Sequence, residues 1–241
     1  GSATGTAAIK VIDECIKYSI ERKQFGQSIS NFGAIQEKLA MMATSIFALM
    51  SGLYRAGYNI EKNTERLEKS GLDICDAKKN GVLEYSIECA ITKVHGSEVI
   101  RDVSDEAIQI FGGMGYSAES VVEPAYRDAR ISRIYEGTNE INRMLIVGMF
   151  IKKGLEKELN LFQEAKKVGK ELTSIMSVFK KEKKSGIFGN EKIYIKNIKK
   201  LILILLGKSV KIFKKDFDKE QEIMLNISNM IIDLYMTESA I

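Results

Sequence analysis

With 241 residues the chain is long enough for one large domain, or for one domain with an appendage. Its 36 basic and 32 acidic side chains leave a net charge of only +4, and no helix-turn-helix or stacking pattern accompanies it, which argues against a nucleic-acid partner. A single proline and a single histidine, His95, favour an almost wholly helical chain and exclude a metal site built on two or more histidines, so no metal is expected.

The opening Gly1-Ser2-Ala3 reads as an added leader, and helical periodicity begins at Thr6. From Thr6 to about Arg22, Ala8, Val11, Ile12, Cys15 and Ile16 make a broad apolar face. A basic loop follows, Glu21-Arg22-Lys23-Gln24-Phe25-Gly26-Gln27. The second helix runs from about Ala34 to Asn63, with Met41, Met42, Ile46, Leu49, Met50 and Leu53 as a stripe that reads as core. A polar linker, Lys62 to Asp73, leads to a third helix from about Ile74 to Phe111. Gly96 marks a close helix–helix contact within it, and it ends at the cap Gly112-Gly113-Met114-Gly115. The full glycine spacing of a dinucleotide fingerprint is absent. A short helix, Val122 to Ile131, precedes a break, and a further helix runs to about Leu155.

Three long helices and a fourth after the break predict an all-α fold, an antiparallel four-helix bundle over residues 1–156. Helices of 25 to 35 residues would reach ~40–50 Å at ~1.5 Å per residue. Residues 157–241 form a further, basic helical extension. Between Ile151 and Lys215 there are 18 lysines against six acids. Helices are expected over 158–179, over 191–213 around Leu201-Ile202-Leu203-Ile204-Leu205-Leu206, and from Asp218 onward. The last is still helical at Ile241, so a continuation of the chain is expected. The extension has two readings: a basic amphipathic surface making peripheral contact with anionic lipid, or a second helical layer with its lysines in water.

Cys15, Cys75 and Cys89 lack C-x-x-C spacing and fit buried packing in a reducing compartment. No signal peptide and no apolar run near ~20 residues is visible, so no membrane span is expected. A cytoplasmic location, or an organelle matrix, follows. A Ser–His–Asp or Cys–His site would have to use His95, which reads as a helix-face residue.

The break before the fourth helix reads Arg133-Ile134-Tyr135-Glu136-Gly137-Thr138-Asn139-Glu140. Glu136 lies on a turn beside a positive helix end, where Thr138 or Asn139 can cap. One reading is an acid that merely complements the helix dipole; the other is a general base.

Three segments together resemble the C-terminal domain of the acyl-CoA dehydrogenases. They are Glu21-Arg22-Lys23-Gln24-Phe25-Gly26 with Asn31-Phe32-Gly33-Ala34-Ile35-Gln36, then Gln109-Ile110-Phe111-Gly112-Gly113-Met114-Gly115-Tyr116. The third is Arg127-Asp128-Ala129-Arg130-Ile131 running into Ile134-Tyr135-Glu136-Gly137-Thr138-Asn139. The likeness spans about Gly5 to Leu155. The tail, best at Met230-Ile231-Ile232-Asp233-Leu234-Tyr235, is similar to the extension of the very-long-chain branch.

The resemblance implies α,β-dehydrogenation of a fatty acyl-CoA to the trans-2-enoyl-CoA in fatty acid β-oxidation. Glu136 would take the α-proton, and FAD would accept the β-hydride. It also implies that Arg22, Gln24, Phe25, Gln109, Gly112, Gly113, Thr138, Asn139 and Glu140 contact FAD, Arg22 from the neighbouring subunit. Glu140 stands where the family commonly carries an amide. Tyr135 and Gly137 would lie beside the thioester. The implied partners are a fatty acyl-CoA, an acceptor of the electron-transfer flavoprotein type, and a second copy in a dimer or tetramer. The implied N-terminal and middle domains are missing from this stretch, so alone it is expected to be inactive. The rival readings are an acyl-CoA oxidase and a helical interaction module without chemistry.

Overall fold

The computed structural model describes residues 1–173 and 186–241. It is all-α apart from one two-residue hairpin among the described residues. The chain divides into two compact units, Gly1–Asn139 and Glu140–Ile241.

The first unit holds three of the expected long helices. Helix α1 (Ser2–Glu21) takes in Ser2 and Ala3 of the stretch expected to be a leader.

 That α1 packs against α2 (Gly33–Lys69) and α4 (Ser86–Phe111), and α2 also packs against α3 (Ile74–Glu84). Ala8, Val11, Ile12 and Cys15 of α1 meet Met42, Ile46 and Leu49 of α2 and Val99, Ile100, Val103 and Ala107 of α4 in one buried cluster. These positions recur every three or four residues, so each helix turns one apolar stripe inward.

The loop expected after α1 is instead a miniature hairpin. Strand β1 (Lys23–Gln24) pairs antiparallel with β2 (Gln27–Ser28). Its two turn residues, Phe25 (φ 51) and Gly26 (φ 82), are both left-handed, the requirement of the two-residue turn that matches strand twist. The hairpin is fastened to α1: the Ile29 N–H donates to the Arg22 carbonyl at 2.9 Å, and Ser28 Oγ to the Ile20 carbonyl at 2.7 Å.

Two boundaries differ from expectation. The polar stretch taken as a linker from Lys62 continues α2 as far as Lys69. Its charged residues are good helix formers, and Asn63 is buried and accepts from Arg66. The helix ends where Gly71 turns left-handed (φ 99), with Leu72 N–H bonded to the Leu67 carbonyl and Gly71 N–H to that of Glu68. The single helix expected over 74–111 breaks at Tyr85 (φ −100, ψ 27) into α3 and α4, and both halves lie against α2. Asp73 caps α3 by accepting from the Cys75 and Asp76 N–H groups. At Gly96, as expected, a Cβ would meet Thr4 of α1 at 2.5 Å.

Helix α2 carries a stretch long and apolar enough, by length and composition, to cross a membrane, and 28% of that stretch is buried. The sequence reading overlooked it because Thr44, Ser45, Ser51 and Gly52 interrupt its apolar residues. Met41, Phe47, Tyr54 and Tyr58 lie on its exposed side.

After α4 come α5 (Gly113–Tyr116) and α6 (Glu123–Ile131), the latter with Pro124 in its first turn. The second unit opens with the expected fourth helix, α7 (Asn139–Leu155), whose first residue closes the first unit. The boundary proposed from the sequence, 156/157, falls at the end of α7. Helix α8 (Leu161–Thr173) packs on α9 (Gly189–Phe213), and α9 on α10 (Gln221–Ala240). Val168, Ile195, Ile202, Leu206, Ile227 and Ile231 are buried there. Lys200 pairs with Glu171 at 3.0 Å, and Lys199 with Glu238. The rest of the helix expected over 158–179, and the first part of the loop expected over 180–190, lie outside the described residues.

Candidate functional site

The predicted residues fall into two groups. The first surrounds a cleft of about 490 Å³ lined by Tyr18, Arg22, Gln24, Ile29, Ile110, Phe111, Gly112, Gly113 and Met114. Arg22, Gln24, Gly112 and Gly113, drawn from two distant motifs, thus meet in one place. The end of α1 and its hairpin supply one wall, and the end of α4 with the start of α5 supplies the other. Tyr18 joins the walls: its ring stacks on Phe111 at 4.0 Å and 12°, and its hydroxyl donates to the Phe111 carbonyl at 3.3 Å.

The two glycines do different work. Gly112 has φ 62 and ψ −143, a backbone that L side chains rarely adopt. It is therefore not the ordinary left-handed cap expected from sequence, although its N–H still returns to the Gln109 carbonyl at 3.3 Å. Gly113 has no such backbone demand, and a Cβ there would meet nothing within 4 Å. The space over Gly113 is open. An arginine, an amide and a glycine floor suit an anionic, planar-ended ligand, since guanidinium pairs with phosphate and bare backbone permits close approach.

Phe25 and Gln109 do not line the cleft. Phe25 is 92% exposed at the hairpin tip, edge-on to Phe32 at 6.2 Å. Gln109 is exposed on the last turn of α4.

The second group forms the turn between α6 and α7. Its backbone is tied at both ends: Tyr135 N–H donates to the Ile131 carbonyl at 3.2 Å, and Asn139 N–H to that of Arg133 at 3.1 Å. Between these ties Glu136 (φ 57) and Gly137 (φ 79) are consecutively left-handed. Gly137 takes this conformation freely, whereas a glutamate does so at a cost of about 1–2 kcal/mol. Tyr135, Glu136 and Gly137 are exposed, Thr138 is half-buried, and Asn139 is 2% exposed. Glu136 is an exposed residue, and its charge acts on the Gly1 ammonium. Asn139 turns inward. Its Oδ1 accepts from Lys93 Nζ at 3.0 Å, and its Nδ2 lies 2.9 Å from Ser97 Oγ. Lys93 Nζ also donates to the Gly137 carbonyl at 2.7 Å. Glu140 is exposed on the first turn of α7.

Sequence reasoning missed Tyr18 and Lys93. Tyr18 stands one helical turn before Arg22 and shares its face, a spacing that could have found it. Lys93 is 44 residues from Gly137 in the chain, and no local pattern announces it. Among the described residues, no group of three or more His, Cys, Asp or Glu is placed to hold a metal ion.

An all-α bundle domain with a glycine-floored cleft and a carboxylate on a strained turn is the class that fold and geometry define. Known proteins narrow it. The family model described as acyl-CoA dehydrogenase, C-terminal domain, matches residues 2–149, and a second model of the same description matches residues 197–241. The chain belongs to the acyl-CoA dehydrogenase family. A probable acyl-CoA dehydrogenase of Bacillus subtilis (strain 168) is 39% identical over 241 residues, 99% of this chain and 40% of that protein. The very long-chain specific acyl-CoA dehydrogenase, mitochondrial, of Bos taurus is 32% identical over 243 residues, 93% of this chain and 34% of that protein. The crystal structure of an acyl-CoA dehydrogenase complexed with FAD from Bacillus anthracis superposes with a TM-score of 0.91 at 39% identity, over 98% of this chain and 39% of that one. The chain thus spans about two fifths or less of the length of these relatives.

Proposed function

We propose that this chain works as the C-terminal helical part of an FAD-dependent acyl-CoA dehydrogenase acting on fatty acyl-CoA, with Glu136 as the base that takes the α-proton. The observation that carries the reading is the turn at Glu136. A glutamate is kept in a left-handed conformation that glycine would adopt freely, and such strain persists where the side chain itself is needed. The thioester carbonyl acidifies the α-carbon, and a carboxylate within hydrogen-bond reach of that proton can accept it. Glu136 stands exposed here, so the apolar walls that exclude water from an acyl chain come from the N-terminal and middle domains of the family.

The cleft at Gly113 fits one end of FAD. Arg22 would hold a phosphate, Gln24 would hydrogen-bond the same portion, Gly112 and Gly113 would admit it closely, and the exposed Phe25 would pack on its adenosine part. The cofactor whose end this cleft would hold, through Arg22, is that of a second copy in a dimer or tetramer. Bound FAD supplies the hydride acceptor, and the protein supplies position and electrostatics. Thr138 and Glu140 flank the base toward the cofactor; Tyr135 and Gly137 flank it toward the thioester. Asn139 serves the turn from within. The partner that would take up the electrons is an acceptor of the electron-transfer flavoprotein type. The extension is a second helical layer, its lysines paired with acids or solvated.

The test uses the flavoprotein that carries this chain behind its N-terminal and middle domains. A long-chain acyl-CoA is added without oxygen or acceptor, and the flavin absorbance is followed in wild type and in Glu136→Gln. Wild type is expected to bleach and the variant not to. Bleaching that survives in the variant removes Glu136 as the base. A protein that takes up no flavin favours an interaction module.

A further inference from the structure

We infer that Lys93 is a positioning residue for the Glu136 turn, an inference that rests on Glu136 being the base. The ammonium of Lys93, on α4, reaches the turn and holds two points of it together. It donates to the Gly137 carbonyl at 2.7 Å and to Asn139 Oδ1 at 3.0 Å. These acceptors flank the segment in which Glu136 and Gly137 are both left-handed.

The Asn139 amide is oriented for this by α4. The Ser97 hydroxyl donates to the Val94 carbonyl at 2.8 Å and accepts from Asn139 Nδ2 at 2.9 Å. Asn139 Oδ1 faces Lys93 Nζ at 3.0 Å and Ser97 Oγ at 3.1 Å. Asn139 is 2% exposed and Ser97 is 1% exposed, so the Asn139–Ser97 contact is buried, while the bond from Lys93 to Gly137 is exposed. Asn139 Nδ2 also lies 3.4 Å from Glu98 Oε1. The contacts therefore run from one helix, α4, through Lys93 and Ser97, to the residues on either side of Thr138.

The physical need follows from the backbone. Glutamate disfavours the left-handed region, so without an external tie the turn would relax toward ordinary φ and swing the carboxylate. A charge-assisted bond to the carbonyl of the next residue opposes that rotation directly. A base displaced by about 1 Å from its proton loses rate and not affinity.

The experiment compares Lys93→Met and Lys93→Arg with wild type in the flavin-loaded enzyme carrying its N-terminal and middle domains. The rate of anaerobic flavin bleaching is measured against long-chain acyl-CoA concentration, after flavin content has been recorded. In Lys93→Met the limiting rate should fall roughly 10- to 100-fold while the half-saturating concentration stays within about threefold. Lys93→Arg, which keeps the cation and its donors, should recover part of the rate. A limiting rate in Lys93→Met within about twofold of wild type overturns the inference. So does a loss that Lys93→Arg does not relieve, since packing and not the tie would then be at fault. If Lys93→Met does not hold flavin, Lys93→Gln takes its place in the same comparison. Loss of flavin from both also overturns it, because Lys93 does not line the cleft at Gly113. Glu136→Gln is run in parallel: bleaching that survives there defeats the assignment of the base, whatever Lys93 does.

Discussion

Glu136 holds a φ of 57 against its own preference, between ties that run from Tyr135 to Ile131 and from Asn139 to Arg133. If the side chain is kept for chemistry, removing it should not harm the fold. Glu136→Gly is expected to leave the urea midpoint of the 241-residue chain unchanged or raise stability by up to about 1 kcal/mol, since relief of strain competes with the chain entropy glycine adds. A clear loss of stability would mark Glu136 as a structural acid. Cys15 is a second residue with a definite physical state. It is fully buried among α1, α2 and α4, and burial pushes its thiol up to about 12. A raised folded-state value stabilises the protonated, folded form: that contribution is complete below the ordinary thiol range near 9 and is lost as pH climbs toward about 12. The urea midpoint should therefore fall between about pH 9 and 11 less steeply in Cys15→Ala than in wild type. At pH near 8 iodoacetamide should label the exposed Cys75 well before Cys15.

At the scale of elements, the two glycines ending α4 separate conformation from space. Gly112→Ala places a Cβ on a backbone that only glycine adopts well, and should cost about 1–3 kcal/mol in thermal or urea unfolding. Gly113→Ala meets no protein atom within 4 Å and should leave stability within about 0.5 kcal/mol. In the full flavoprotein, however, Gly113→Ala should weaken FAD retention on dilution, because the added methyl enters space the cofactor needs. Equal flavin retention would remove Gly113 from the cofactor cleft. The hairpin carries the same lesson. The motif around Arg22 and Phe25 is legible in the sequence, but its pairing is not, because two residues per strand leave no alternation to read. The break at Tyr85 was equally silent: no proline or glycine marks it, and α2 decides it by packing along both halves.

For the whole molecule, the main fact is extent. The chain covers 40% of its Bacillus subtilis relative and 39% of the Bacillus anthracis one, and its cleft is lined by the ends of α1 and α4, the hairpin, Ile29 and the start of α5. A cofactor cradled along one edge is held weakly, since much of its surface stays in water. The 241-residue chain alone should therefore emerge from a desalting column without yellow colour after incubation with FAD. Stoichiometric flavin carried through the column would show that the helical part suffices. The exposed side of α2 and the 92% exposure of Phe25 fit a piece whose remaining surfaces are met by other parts of an enzyme.

Helical class, the apolar stripes of α1, α2 and α4, the glycine pair and the Tyr135–Glu140 turn follow from the sequence, because periodicity and turn chemistry are local properties of neighbouring residues. That Arg22 and Gln24 share a cleft with Gly112 and Gly113, that Tyr18 stacks on Phe111, and that Lys93 ties down Gly137 were decided only by tertiary structure. Each of these joins residues far apart in the chain: the packing of α1 on α4 brings the first two together, and the packing of α6 on α4 brings the turn to Lys93.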